Sequence, residues 1–395
     1  MATLQTATNI ASLTFLLPED ALGDPEVRGE WASLLSLGNV LNRVFASPTL
    51  YEHQTRLAPL PENRVAVLRD ENGKIVGICP IVLWNVALSF QIRRRLLGTR
   101  VVKAATIFGG EPLVAADPTL FHFLIDRLFE ELPWCDCVYL NSIPVDSFAC
   151  KMIYANDHKR GRYFIHPRRL QSREWIYLEL GESLEAFLGG KQKRTRNTLK
   201  RRVKKLREHG AGLECIRVET EDQVDAFYES AFAIAEKSWQ HKSLGRCLEE
   251  TALYRNNLYS LARLGALRAY LLKCGGLPCA FVIGYQYEDI LQFEQTAYSS
   301  DFGRFSPGTV LYYLLLEDLY QYRPPRFVNH GVGVTPHKRL FSNRETVDTS
   351  VQLFRPTIRN RLLCTSHSMF YALLRFAARF LARRPSPPRE SDENE

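Results

Sequence analysis

At 395 residues, 46% hydrophobic and 24% charged, the chain has ample apolar content for a packed core and is too long for one small domain, so two domains are expected. A net charge of +8 with a pI near 9.0 favours anionic partners such as phosphate-bearing donors, nucleic acid or anionic lipid. No apolar run reaches the roughly 18 residues that span a bilayer, the start "MATLQTATNIASLTFLLPED" lacks the pattern of a secretory signal, and the nine dispersed Cys form neither CxxC nor zinc-ligand pairs, so a soluble, cytoplasmic protein is expected.

Residues 31 to about 46, "WASLLSLGNVLNRVFA", have apolar side chains at helical spacing. In "RVAVLRDENGKIVGICPIVLW" two β-branched runs flank Asn72-Gly73, a hairpin signal. "FHFLIDRLFEEL" predicts a second helix and "CVYLNSI" a buried strand, giving residues 1–165 a mixed rhythm with mostly antiparallel pairing. The Arg-rich stretch 159–171, with Pro167, marks a boundary.

The second half, 172–356, begins with a strand, "EWIYLEL", followed by a basic helix starting at Thr195 or Asn197 and a strand, "LECIRV". A helix over 221–239 follows, with Val224, Phe227, Phe232 and Ala235 as its core stripe, then "LEETALYRNNLYSLARLG", ended by Gly265. "ALRAYLLKC", "PCAFVIGYQY" and "ILQFEQTAY" predict an antiparallel meander turning at Gly275-Gly276 and Glu288-Asp289. A loop carrying Gly303 and Gly308 then enters an apolar helix, and "RFVNHGVG" and "DTSVQLFRP" are the last strands. The order of elements repeats that of the first half. Over 357–384 a basic amphipathic helix is expected, with Leu362, Met369, Leu373, Phe376 and Phe380 on one face and Arg375, Arg379 and Arg383 on another. The tail 385–395 has a disordered composition.

The basic helix lies in "GKQKRTRNTLKRRVKKLREHG", where ten Lys and Arg fall between 191 and 207 with no acidic residue among them. Leu199, Val203 and Leu206 form a narrow stripe that anchors it. Like charges at Lys200/Lys204 and Arg201/Lys205 each cost about 0.2–0.5 kcal/mol without a counter-anion, which favours a phosphate-facing surface over a merely solvated one.

In "RFSPGTVLYYLL", Pro307 fixes φ at a helix start and Gly308 removes a Cβ. The N–H groups of Gly308, Thr309 and Val310 are expected to point out of the helix N-terminus toward a pyrophosphate. The plainer alternative is a turn capped by Ser306. "NHGVGVTPHKRLFSN" gathers Asn329, His330, His337 and Lys338 just past a strand, a density typical of a site. Glu294, among apolar neighbours, is a base with a raised pKa or the partner of an Arg; strand alternation puts it on one face with Gln292 and Thr296, and Leu291, Phe293 and Gln295 on the other. P-loop, Rossmann, HExxH and GxSxG signatures do not occur, which favours a transferase that needs little side-chain apparatus.

Taken in order, the basic helix, Trp239, "AFVIGY", "AYSSDFGRFSPGTVLYYLLLE" and "NHGVGVTPHKRLF" resemble the CelD/BioF-like acetyltransferases, a branch of the GNAT superfamily related to the FemAB aminoacyltransferases. The resemblance covers about 174–356 and, more faintly, the first half. This chain has Asn329-His330-Gly331 where the family usually has Asp-Phe-Gly, and Pro336-His337-Lys338 where it has Pro-Tyr-Lys.

The resemblance implies an α/β (α+β) fold of tandem GNAT-like domains, with mixed, largely antiparallel sheets flanked by helices. It implies an N- or O-acyltransferase that uses acetyl-CoA or another acyl-CoA and no metal. Phe305, Ser306, Gly308, Thr309 and Val310 would hold the donor; Lys193, Arg194, Arg196, Arg201, Trp239 and Asn329 would bind substrate or phosphate. Lys338 would stabilise developing negative charge or bind the acceptor, with His337, His330 and Glu294 as candidate bases. The implied acceptor is a small molecule or a lipid-linked sugar of cell-envelope polysaccharide work, reached at the inner face of an anionic membrane through the C-terminal helix; packing of that helix on the second domain is the alternative. Transfer from an aminoacyl-tRNA and a non-catalytic binding protein are the other readings.

Overall fold

A computed structural model describes residues 10–37, 43–92, 95–155, 163–167, 172–210, 212–239, 241, 248 and 252–382. The first half runs β1 (Ile10–Leu16), α1 (Pro18–Gly23), α2 (Pro25–Leu37), α3 (Arg43–Ala46), α4 (Pro48–Leu57), β2 (Arg64–Asp70), β3 (Ile75–Ile92), β4 (Arg95–Ile107), β5 (Leu113–Val114), α5 (Pro118–Glu131), β6 (Cys137–Pro144), α6 (Phe148–Ala155) and β7 (Phe164–His166). The second runs β8 (Ser172–Glu179), α7 (Leu184–Gly189), α8 (Lys193–His209), β9 (Leu213–Val218), α9 (Glu221–Glu236), α10 (Ala252–Arg263), β10 (Ala269–Cys274), β11 (Leu277–Tyr287) and β12 (Ile290–Tyr298). A 3₁₀ turn (Ser300–Phe305) leads to α11 (Pro307–Gln321), β13 (Phe327–Val332), α12 (Pro336–Leu340), β14 (Arg344–Phe354) and α13 (Ile358–Ala382).

Among the described residues the strands form one fourteen-stranded sheet, with main order β1-β2-β3-β4-β6-β14-β8-β13-β12-β11-β10-β9. The expected hairpin is β2–β3, where Asp70 Oδ1 accepts the N–H groups of Asn72 and Lys74, both at 2.9 Å, and Gly73 takes a positive φ. Helices cover both faces, and the pairing is antiparallel except at β4–β6 and β12–β13. Each half therefore carries one parallel pair, the structural counterpart of its repeated element order. β14 lies between β6 and β8, so a strand late in the chain joins the two halves in a single ladder.

Three features differ from the sequence reading. Of the helix expected over 31–46, the described residues form the end of α2, which starts earlier at Pro25, and α3, with 38–42 outside the described residues. Strand β4 has no counterpart in the sequence reading, yet it pairs with β3 along almost its whole length. The basic helix begins at Lys193, ahead of the expected Thr195 or Asn197. Its stripe is as predicted: Leu199, Val203 and Leu206 are buried in one cluster with Leu311, Leu315 and Leu319 of α11. A fully buried side chain of this size contributes about 1.5–3 kcal/mol, so α8 is fixed against α11.

The far end of α11 is held by Arg268, whose guanidinium is fully buried and donates to the carbonyls of Tyr322 and Arg323, to Gln286 Oε1 and to the Tyr270 hydroxyl. Buried donors of this kind are costly to leave unpaired. The network locks the C-terminal end of α11 to β10 and β11, and so sets where its N-terminus lies.

Candidate active site

β12 and β13 are hydrogen-bonded only where Ile290–Gln292 face Phe327–Asn329; beyond that they part. The fork opens at the carboxyl ends of two parallel strands, where open α/β sheets bind ligands. Gln292, Asn329 and His330, all buried, stand where the strands part, and Gln292 Oε1, Asn329 Nδ2 and His330 Nδ1 have no hydrogen-bond partner among the described residues. His330 Nε2 lies 3.0 Å from the Phe341 carbonyl, so it carries the proton and leaves Nδ1 a bare acceptor. Burial pushes the His330 pKa down to about 3. It is a neutral hydrogen-bonding group at physiological pH and a weak base.

A β-bulge sits at the same level. Ile283 pairs with Gln295 and Gly284 with Phe293, which leaves Glu294 as the extra residue. Gly284 is required there, since a Cβ would meet the Gln292 carbonyl oxygen at 2.7 Å. The bulge breaks the expected alternation: Leu291 and Phe293 pack with α11, whereas Gln295 turns to the Tyr254 hydroxyl of α10 at 3.0 Å. Bulges of this kind re-aim a side chain next to a site.

Glu294 points into a cleft of about 640 Å³ lined by both halves, with Trp84, Phe108 and Asn141 on one side and Trp175, Tyr254 and Asp348 on another. Water reaches the Glu294 carboxyl within the cleft while protein surrounds it, and this desolvation raises its pKa above the ordinary carboxylate value. Asp348, across the cleft, is pushed up to about 6, mainly by burial and partly offset by the Ser142 hydroxyl.

The third component is the N-terminus of α11. The preceding 3₁₀ turn ends in Ser306, which adopts the left-handed conformation (φ 56°, ψ 54°) and makes no side-chain capping bond. A non-glycine residue held there is uncommon and concentrates at functional sites, and a left-handed residue after a helical turn aims successive N–H groups at one point. Thr309 and Val310 correct the sequence reading, since both donate to the Ser306 carbonyl, at 2.9 and 3.2 Å, leaving the Gly308 N–H as the free one of the three. A Cβ at Gly308 would meet only Tyr298 Cδ1, at 3.6 Å, so the space before it is open.

Arg202, not singled out from the sequence, donates to Thr309 Oγ1 at 3.4 Å, and the His209 ring lies tilted against Phe305 with centroids 4.4 Å apart. The only sequence signal for Arg202 was its place on the flank of the apolar stripe, next to Val203. Arg201, Lys193 and Arg194 lie on the exposed outer face of α8, and Arg196 is engaged by the carbonyls of Gly189 and Lys191. Trp239 is exposed just past α9, whose end is tied to the 3₁₀ turn by Lys237 and Asp301 at 2.9 Å. Arg202→Ala is expected to weaken binding of a phosphate-bearing donor about tenfold, the loss of one charge-assisted contact, while Arg201→Ala leaves it unchanged; isothermal titration of both variants checks this.

His330 and His337 are brought together around Tyr312, whose ring lies 5.6 Å from His330 and 4.7 Å from His337, with the Lys338 charge near enough to act on both. Burial lowers the His337 pKa, with the Arg202 and Lys338 charges adding to it and the Gly308 backbone opposing. Lys338 Nζ donates to the Val332 carbonyl at 2.8 Å beside Gly331, and burial lowers its pKa. Glu294 stands apart from this group, in the cleft.

The corresponding place in the first half is closed to anions. There α5 begins after Asp117, whose own carboxylate accepts the Thr119 N–H at 2.7 Å. A capping carboxylate satisfies the helix N-terminus and repels phosphate, whereas Ser306 leaves its counterpart open.

Residues 193–339, which include α8, the bulge, the turn at Ser306 and Lys338, match the family model described as the acetyltransferase (GNAT) domain. No curated protein sequence matches the chain. Among solved structures, FemX superposes with a TM-score of 0.60 at 10% identity, covering 90% of this chain and all of that one. A tandem GNAT protein from the clavulanic acid biosynthesis pathway, solved without AcCoA, gives 0.50 at 13% identity, covering 88% of this chain and all of that one. At such identities these two likenesses concern the fold alone. Residues 193–339 thus match a GNAT acetyltransferase domain, within a fold shared with a tandem GNAT protein.

Proposed function

We propose that the protein is an acyltransferase of the CelD/BioF-like branch, with lobes 1–165 and 172–356 around a shared cleft, that moves an acyl group from acyl-CoA to an amine or hydroxyl. The observation that carries this reading is the fork beside the open N-terminus of α11. Its unpartnered buried atoms comprise one donor, Asn329 Nδ2, and two acceptors, Gln292 Oε1 and His330 Nδ1, a set that fits the amide-bearing arm of coenzyme A. Gly308, Ser306 and Arg202 would hold the pyrophosphate.

Acyl-CoA supplies a thioester carbonyl already activated toward attack. Glu294 takes the proton that the acceptor nitrogen or oxygen loses as it forms the new bond to the acyl carbon and the carbon–sulfur bond breaks. The Lys338 ammonium, beside Gly331, offsets the negative charge that develops at the carbonyl oxygen and the departing sulfur. Holding both reactants in the cleft supplies most of the rate, up to about 7–11 kcal/mol in well-oriented cases. Lys338→Ala is expected to lower kcat about 10²-fold with little change in donor affinity, read from steady-state rates and titration side by side.

Trp84 and Trp175 on the cleft walls, with polar groups between them, suit a sugar, and a lipid-linked sugar of cell-envelope polysaccharide synthesis is the acceptor we favour. The test is to incubate the protein with acetyl-CoA and a panel of amino sugars and hydroxyl acceptors and follow thiol release and product mass. Acceptor-dependent thiol release supports the reading; its absence across acyl donors, with transfer from aminoacyl-tRNA instead, overturns it. That second reading is favoured by the exposed cations Arg194, Lys200, Arg201 and Lys205 of α8, and its binding would weaken steeply with salt.

A further inference from the structure

Helix α13 packs chiefly on the β3–β4 hairpin of the first half, with Phe354 of β14 from the second half in the same cluster. Cys364 is buried in a cluster with Leu88 and Val102, Phe370 meets Phe90 edge-on at 5.4 Å, and the Tyr371 hydroxyl donates to the Ser89 carbonyl at 2.8 Å. The opposite face carries a stripe of large apolar side chains in solvent: Leu362, Met369, Leu373 and Phe376 are 58–70% exposed. The hairpin adds Ile92, Leu96 and Leu97 at its tip, a few residues from the contact with Tyr371. Together with Trp84, Val101 and Ile358, these two packed elements hold more than half of the large hydrophobics exposed among the described residues.

Their charge is of one sign. From Ile75 through Gly110, and again from Pro356 through Ala382, the chain has no Asp or Glu. Arg95, Arg100 and Arg375 are exposed on these segments, and among the described residues there only Arg359 has a close carboxylate, Asp136 at 3.8 Å. No described helix is long and apolar enough to cross a membrane. A helix held by one face, apolar on the other and flanked by cations alone has the features of an element lying in a lipid interface. A second copy of the chain would bring two cationic faces together, whereas an anionic bilayer takes up the apolar stripe and neutralises the arginines.

We infer that α13 and the tip of the β3–β4 hairpin form one composite surface that docks on an anionic lipid bilayer. The docking face is independent of which donor and acceptor the active site uses. The full-length protein, mixed with vesicles of equimolar phosphatidylglycerol and phosphatidylcholine, is expected to sediment with them and to be released by salt, with little binding to phosphatidylcholine alone. Leu373→Glu with Phe376→Glu, and separately Leu96→Glu with Leu97→Glu, should each reduce the bound fraction about tenfold. These side chains are in solvent, so melting temperatures should stay unchanged, and two variants on different elements keep the test informative if one fails to fold. The proposal is overturned if the wild type stays in the supernatant, if both double variants bind as well as the wild type, or if the α13 variant dissolves a dimer in sedimentation equilibrium while no vesicle binding is seen.

Discussion

Glu294→Gln is expected to lower kcat by about 10²- to 10⁴-fold, the span of a lost general base, while donor affinity stays within about twofold because the carboxyl lies in the cleft rather than in the phosphate cradle. The pH dependence has a definite sign. Desolvation raises the Glu294 pKa above its ordinary value, so wild-type kcat/KM should fall as pH drops through that raised pKa and the base takes up a proton. The Gln variant should lose this limb. Stability moves the other way: a carboxyl with a raised folded-state pKa favours the fold while protonated, below its unfolded pKa, and loses that contribution as pH rises through the folded one. Glu294→Gln should therefore melt at the same temperature as wild type or higher near neutral pH. A lower melting temperature with unchanged kcat would make Glu294 a structural residue.

Gly308→Val is expected to weaken binding of coenzyme A by about tenfold or more, an effect of roughly 1.4 kcal/mol or above, with little loss of stability. The helix itself has no need of glycine at this position, since Gly308 is not among the residues with positive φ and a Cβ would make only an ordinary contact with Tyr298. Glycine in a helix is less favourable than most residues. The isopropyl group would instead occupy the open space in front of the Gly308 N–H, where a phosphate oxygen must approach. Substitution of Asp117, the capping carboxylate of α5, should leave donor binding unchanged.

The sequence carried most of the local structure and only part of the site. The stripe on α8, the meander of β10–β12 and the Pro307 helix start were legible, because each rests on spacing or turn chemistry within a short window. The bulge at Glu294 was not: alternation looks unbroken in "ILQFEQTAY", and only pairing with Gly284 shows the extra residue. Arg202 could not be told from nine neighbouring cations, since its role depends on α8 packing against α11. The insertion of β14 between β6 and β8 and the packing of α13 on the first-half hairpin are long-range contacts that no local pattern encodes. His330 is a candidate base by its place in the polar loop past β13; burial and the bond to the Phe341 carbonyl make it a neutral acceptor instead.

Whether the open N-terminus of α11 and the adjoining fork hold an acyl-CoA is decided by isothermal titration of the whole chain with coenzyme A and acetyl-CoA, beside Gly308→Val. One site per chain of micromolar affinity is expected, sharply weakened in the variant at unchanged melting temperature. Absence of binding in the wild type at low and moderate salt, or equal affinity in Gly308→Val, would contradict it.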